Sequence, residues 1–207
     1  MRKLLTLCVA AAFASGSGAV FAADSGFYML GGAGQNTSSN SSDQTLLNNA
    51  LTSAGGTGFT STINQPTVYN LMAGYKINKN FAVEGGYIKG ANENYTATGG
   101  NLAGPVSATA KVDGWDVTAV GIWPVADQVS LLGKLGVADA HISGSVTGPG
   151  GSVSVSGSQT DFTYGIGAQY DFTSSVFGRL DFDSYNVGTS SSSNRITIWT
   201  INLGYMF

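Results

Sequence analysis

Five charged residues stand at alternate positions of otherwise apolar segments: Glu84, Asp116, Lys134, Arg179 and Asp181. Acids and bases gathered on one face of neighbouring strands can pair as a fixed network, or gate an ion path if the pairs exchange. A second candidate is His141, the one histidine of the chain, with Ser143 two positions on. On a strand both side chains point the same way, and a serine beside a histidine base is the start of a nucleophile. No orienting carboxylate follows at a suitable distance, because the glutamates, Glu84 and Glu93, lie upstream. Catalysis is therefore not expected. No phosphate loop, dinucleotide glycine pattern or metal-ligand cluster occurs, so neither cofactor nor metal is implied. Gly165-Ile166-Gly167 lacks the helix that such a motif requires.

The elements that carry these residues have a period of two. At the end of the chain Trp199, Ile201, Leu203, Tyr205 and Phe207 share one face, and Thr200, Asn202, Gly204 and Met206 the other. The same alternation gives Tyr69 to Tyr75, Phe81 to Tyr87, Trp115 to Trp123, Val129 to Val137, Phe162 to Phe172 and Gly178 to Phe182. With a first strand near Phe27 to Gln35, whose facing the pattern leaves open, the total is eight. Asn78-Lys79-Asn80, Pro124 to Asp127 and Thr173 to Ser175 are tight turns. The joins between them are longer: the polar residues 36–65, hairpins turning near Gly99-Gly100 and Gly148 to Gly151, and a serine-rich stretch including Ser190 to Asn194. In 36–65, Asp43 could cap a short helix through Leu46, Leu47 and Leu51, whose leucines are either an exposed adhesive or receptor patch or, the preferred reading, packed on the rim of the strand assembly.

Composition says what surrounds these strands. Of 207 residues only 10% are charged against 43% hydrophobic, too little charge to clothe a water-facing surface. Thirty glycines without a three-residue period, with 11% aromatics, argue against collagen and disorder. A net charge of −3 excludes nucleic acid as a partner. Arg2 and Lys3, the apolar run Leu4 to Ala14 and Val20-Phe21-Ala22 form a cleavable secretory signal over residues 1–22. Cys8 belongs to that signal, since Leu7 stands where a lipoprotein needs a small residue. Its removal leaves 23–207 as one domain without cysteine. Losing Arg2 and Lys3 leaves seven of the nine bases against twelve acids, a charge of −5. No run of 18 apolar residues offers a membrane helix.

Alternation alone cannot tell inward from outward, but content can. A soluble barrel would bury Glu84, Asp116, Lys134, Gln169, Arg179 and Asp181 at a cost of several kcal/mol each. A membrane barrel turns its apolar face to lipid and keeps the charges inside. Tyr75, Phe81, Trp123, Tyr170 and Phe172, with Tyr205 and Phe207, lie toward strand ends as an interfacial girdle would. From Trp199 to Phe207 a strand runs roughly 26 Å, or about 20 Å of height when tilted.

Asn80-Phe81-Ala82-Val83-Glu84-Gly85-Gly86-Tyr87, Val129 to Gly136, Tyr164 to Tyr170 and the terminal Tyr205-Met206-Phe207 resemble the OmpA-like outer-membrane β-barrel family, over essentially the whole chain after the signal. The resemblance implies an eight-stranded antiparallel transmembrane barrel in the outer membrane of a Gram-negative bacterium, with both termini periplasmic. It implies that Phe207, with Tyr205 on the same face, is read by the barrel assembly machinery. It also implies outer-membrane lipid and lipopolysaccharide as surroundings. Because the chain stops at Phe207, no peptidoglycan-binding domain is carried over. Family members act as surface antigens, adhesins or porin-like proteins, so the expected function is structural, with loops presented to a host or surface ligand. The alternative is a narrow porin-like channel for small solutes. Eight strands leave an interior that side chains fill, which favours a lumen plugged by ion pairs. The spacing of His141 and Ser143 is also similar to the pair of outer-membrane lipid A deacylases, a third and weaker alternative in which the chain would be a lipid A-modifying hydrolase.

Overall fold

The computed structural model describes residues 25–37, 40–189 and 192–207. The expected signal segment, residues 1–22, and Ser190 and Ser191 of the serine-rich stretch lie outside these. Ten strands and one helix follow in chain order: β1 (Gly26–Asn36), α1 (Asn40–Ser53), β2 (Phe59–Ile63), β3 (Thr67–Asn78), β4 (Phe81–Gly90), β5 (Glu93–Gly99), β6 (Val106–Ala126), β7 (Val129–Gly148), β8 (Gly151–Asp171), β9 (Val176–Thr189) and β10 (Ser192–Met206).

Eight strands close a ring in the order β1-β3-β4-β6-β7-β8-β9-β10, every neighbouring pair antiparallel. The ring closes where β1 meets β10, in register from Tyr28 opposite Met206 to Asn36 opposite Ile198. Closure pairs the backbone groups of the first and last strands with each other, which lets a sheet stand in a medium without water. The two strands beyond the expected eight, β2 and β5, extend it at one end. β4 pairs with β6 from Asp113 to Gly121, and β5 pairs with β6 from Val106 to Ala110. β2 adds to the far side of β5. β2, β5 and the upper parts of β6, β7 and β8 thus form a sheet that rises from the ring. At the opposite end the joins are short turns, such as the one where Asn78 Oδ1 accepts from the backbone N–H of Asn80 and Phe81. Gly99 and Gly100, with φ of 84° and 62°, turn β5 toward β6, a backbone region that a side chain disfavours.

The facing is the expected one. Leu203, Ile166 and Leu131 are 63%, 67% and 50% exposed on the outside, whereas Glu84 and Arg179 are 1% and 4% exposed within. β1, whose facing the sequence leaves open, sends Tyr28 and Leu30 inward and Phe27 outward. Inside, large side chains lie over glycines of the next strand. A Cβ on Gly74 would meet the Tyr28 ring at 2.2 Å, on Gly204 the Phe177 ring at 2.1 Å, and on Gly167 Asp181 Oδ1 at 2.5 Å. Such pairing of large with absent side chains fills a narrow lumen without overpacking it.

Helix α1 departs from expectation in two ways. It begins at Asn40, so position 43, expected at its start, falls inside its first turn; the Asp43 side chain lies outside what is described. It also packs chiefly against β2 of the raised sheet. Gln44 Nε2 donates to Ser61 O at 2.9 Å, and Tyr95 Oη donates to Asn48 Oδ1 at 2.7 Å. These bonds, which an unbonded leucine patch could not supply, decide where the helix sits.

Candidate functional site

The lumen is the first site. Arg179 of β9 donates through Nη1 to Glu84 Oε1 across the ring from β4. The same carboxylate oxygen accepts from Tyr28 Oη at 2.6 Å. Lys134 of β7 lies 2.9 Å from Asp181 Oδ1, 3.4 Å from Asp183 Oδ2 and 3.9 Å from Glu84 Oε2. Four of the five expected charged residues therefore meet in one network. The fifth, Asp116, joins no ion pair there; its Oδ2 accepts from Tyr185 Oη at 3.3 Å.

Two members, Asp183 and Tyr28, escaped the sequence reading, whereas Gln169 and Asn202 were placed on the polar face without their bonds being foreseen. Asp183 continues the alternation of Arg179 and Asp181 by one step, and extending that segment two residues would have found it. Gln169 lies on the inward face of β8 and accepts from Arg179 Nε and Nη2 at 3.3 and 3.1 Å while donating to Asp171 at 2.8 Å. Asn202 donates to Asp181 Oδ2 at 2.9 Å. Tyr28 was hidden because Phe27 and Tyr28 are adjacent aromatics, and only the fold decides which one turns inward. Toward the short-turn end an apolar cluster, including Tyr28, Leu30, Leu132 and Phe177, fills the lumen. The Arg179 guanidinium carbon lies 5.7 and 5.5 Å from the Tyr28 and Phe177 ring centres. A vestibule of about 150 Å³ opens between the short turns, lined by Tyr28 and Phe177 of this cluster and also by Gln169 and Arg179.

The expected girdle residues Tyr75, Phe81, Trp123, Tyr170 and Phe172, with Tyr205 and Phe207, are all exposed on the outside at the short-turn end. Phe27 and Tyr75, Tyr170 and Phe172, and Tyr205 and Phe207 pair with ring centres 4.8, 5.3 and 5.2 Å apart. They form one of two belts. The other, not foreseen, includes Tyr69, Tyr87, Trp115 and Phe162, with Tyr87 and Trp115 4.8 Å apart. Trp123 to Trp115 is roughly 26 Å along β6, so the apolar band between the belts has the height of a bilayer core crossed by a tilted strand.

The raised sheet is the second site. On the face continuous with the lumen, Tyr95 and Ala97 are buried beside α1, whereas Val146, Val153 and Val155 of the β7–β8 hairpin are exposed. On the other face Lys111 Nζ donates to Asp113 Oδ2 at 2.5 Å, a hydrogen bond that holds the lysine pKa above its ordinary value. His141 stands opposite Asp113 on one side and Ser158 on the other, and its Nδ1 lies 2.9 Å from Ser158 Oγ. Ser143 pairs instead with Ser156, so the His141–Ser143 reading finds no dyad.

A closed antiparallel ring with an apolar exterior between two aromatic belts and ion pairs inside defines a membrane-spanning β-barrel. The chain belongs to the outer membrane protein beta-barrel domain family, whose model matches residues 5–207. It is thus an outer-membrane protein, with OmpA-like small barrels as its structural neighbours. The attachment invasion locus protein Ail of Yersinia pestis is similar at a TM-score of 0.52 with 18% identity, covering 89% of this chain and 99% of that one. The N-terminal β-barrel domain of OprF from Pseudomonas aeruginosa gives 0.54 with 11% identity over 88% and 98%. OprG from the same organism gives 0.51 with 13% identity over 88% and 96%. No curated protein matches the chain. In this family the short turns face the periplasm and the longer connections the exterior.

Proposed function

We propose that this protein is a plugged barrel whose work is done outside the membrane: it anchors in the outer membrane and presents the raised sheet and its loops to a host or other surface ligand, without turnover. The observation that carries this is the division of the molecule. Glu84, Asp181 and Arg179 are buried and bonded inside a lumen that side chains fill. β6, β7 and β8, by contrast, run far past the outer belt and leave Val146, Val153 and Val155 uncovered. Rigid closed sheets that carry variable connections are suited to binding. Ail, an attachment invasion locus protein, is known in complex with the heparin analogue sucrose octasulfate, which supports a role in surface binding. The barrel assembly machinery and lipopolysaccharide complete the proposed partners, the first through Phe207.

The test is adhesion of cells displaying the protein to ligand-bearing surfaces, with V153D/V155D beside the wild type, together with planar-bilayer recording of the purified barrel. Adhesion lost in the double variant and a silent bilayer are expected. Steady unitary conductance with unaltered adhesion would overturn the reading. It would favour the narrow channel instead, for which the 3.9 Å approach of Lys134 to Glu84 supplies an alternative partner. Release of lipid A acyl chains that depends on Ser158 or Ser143 would instead identify a hydrolase.

A further inference from the structure

Three buried side-chain oxygens of neighbouring lumen positions make no hydrogen bond: Glu84 Oε2, Asp116 Oδ1 and Thr118 Oγ1. Glu84 of β4 stands directly opposite Thr118 of β6, and Asp116 is one strand repeat further along the same inward face. Thr118 is 4% exposed and Asp116 5%, so bulk water does not serve them. Buried oxygens left unbonded are costly, so a partner there is favoured.

The charges around this space do not balance. Glu84 faces it from β4, Asp116 from β6, Lys134 from β7, and Arg179, Asp181 and Asp183 from β9, with the phenols of Tyr28 and Tyr185 between them. Four carboxylates thus stand against two cations. Lys134 lies closest to Asp181, then Asp183, and is 3.9 Å from Glu84 Oε2. Arg179 is committed to the other oxygen of Glu84. Of the four carboxylates, Asp116 is the one that no cation pairs, and it lies on the strand that carries Thr118.

We propose that Glu84, Asp116 and Thr118 bind a monovalent alkali cation, sodium or potassium. Two carboxylate oxygens and a hydroxyl oxygen are hard donors, suited to such an ion and unsuited to a soft transition metal. Among the described residues no group of three His, Cys, Asp or Glu could hold a metal ion. A divalent ion is further disfavoured by the nearby Lys134 ammonium and by the six or more oxygens it demands. The cation cancels part of the acidic surplus and bonds oxygens that make no hydrogen bond, sharing Glu84 Oε2 with the more distant Lys134. It binds folded protein alone, so it shifts the unfolding equilibrium by mass action.

The experiment is thermal unfolding of the purified barrel in zwitterionic detergent, in sodium, potassium or choline chloride at one ionic strength. Choline is too large for the site and controls for screening. With sodium or potassium at about tenfold its dissociation constant, the wild type should unfold roughly 3–5 °C above its value in choline. T118V, nearly the same shape, and D116N should each lose this difference whatever their own stability. Crystals soaked in rubidium should show anomalous scattering between β4 and β6. Equal unfolding temperatures of the wild type in sodium, potassium and choline, or lumen density without anomalous signal, would overturn the proposal in favour of water or protons there. Bilayer conductance is a separate reading, so failure here leaves the plugged-barrel proposal to its own test.

Discussion

Tyr28 and Glu84, 56 positions apart in sequence, are joined by a hydrogen bond of 2.6 Å inside the barrel. The contact exists because Gly74, on the strand beside Tyr28, has no Cβ where the phenol ring lies. A methyl group there would sit 2.2 Å from the ring. Gly74→Ala is expected to lower stability by about 1–3 kcal/mol, since the ring must move and Glu84 loses a donor. Urea unfolding of the refolded barrel measures this. A wild-type midpoint would count against the packing described.

Lys134 bridges three carboxylates, so Lys134→Met should cost about 3–5 kcal/mol by leaving buried charge uncompensated. Neutralising its closest partner as well, in K134M/D181L, should recover much of the loss, because removing a whole buried pair is far less costly than removing half of it. Unchanged stability of K134M with raised single-channel conductance would speak for the gated path instead.

Orientation is tested from outside. Leu203 lies midway between Trp199 and Phe207 on the exposed face of β10, and Leu203→Arg should cost about 2–4 kcal/mol in lipid. Val153→Arg, on the raised sheet, should cost almost nothing. Comparable losses at both positions would contradict the assigned band. Refolding into vesicles followed by denaturant titration separates these outcomes.

Phe207 is tied to the first strand by a hydrogen bond from its backbone N to Phe27 O at 2.9 Å, and its ring lies 5.2 Å from that of Tyr205. Phe207→Ala keeps the backbone bond. If the terminal aromatic is the assembly signal, the variant should show reduced outer-membrane abundance in cells and nearly wild-type heat resistance after refolding in detergent. Loss of both properties together would make the residue structural.

Much of this protein was legible in its sequence because a barrel in lipid inverts an ordinary pattern at every second residue. The alternation from Trp199 to Phe207 and the charges at Glu84, Lys134, Arg179 and Asp181 admit only one low-cost facing when one side must meet hydrocarbon. Tight turns at Asn78 to Asn80 and Thr173 to Ser175 then set the strand order by adjacency alone.

Other features came from contacts between strands distant in sequence. Which of Phe27 and Tyr28 turns inward depends on the hole at Gly74 and on Glu84, and no local pattern contains either. That Arg179 takes Glu84 while Lys134 takes Asp181 follows from ring closure and stagger, which bring β4, β7 and β9 around one narrow lumen. That Asp116 is left to Tyr185, and that β5 takes up β6 where β4 leaves it, are likewise decided by register. The sequence by itself determined which face meets lipid, because solvation acts residue by residue. The tertiary structure decided who pairs with whom, because closing a ring sets distances that no single strand encodes.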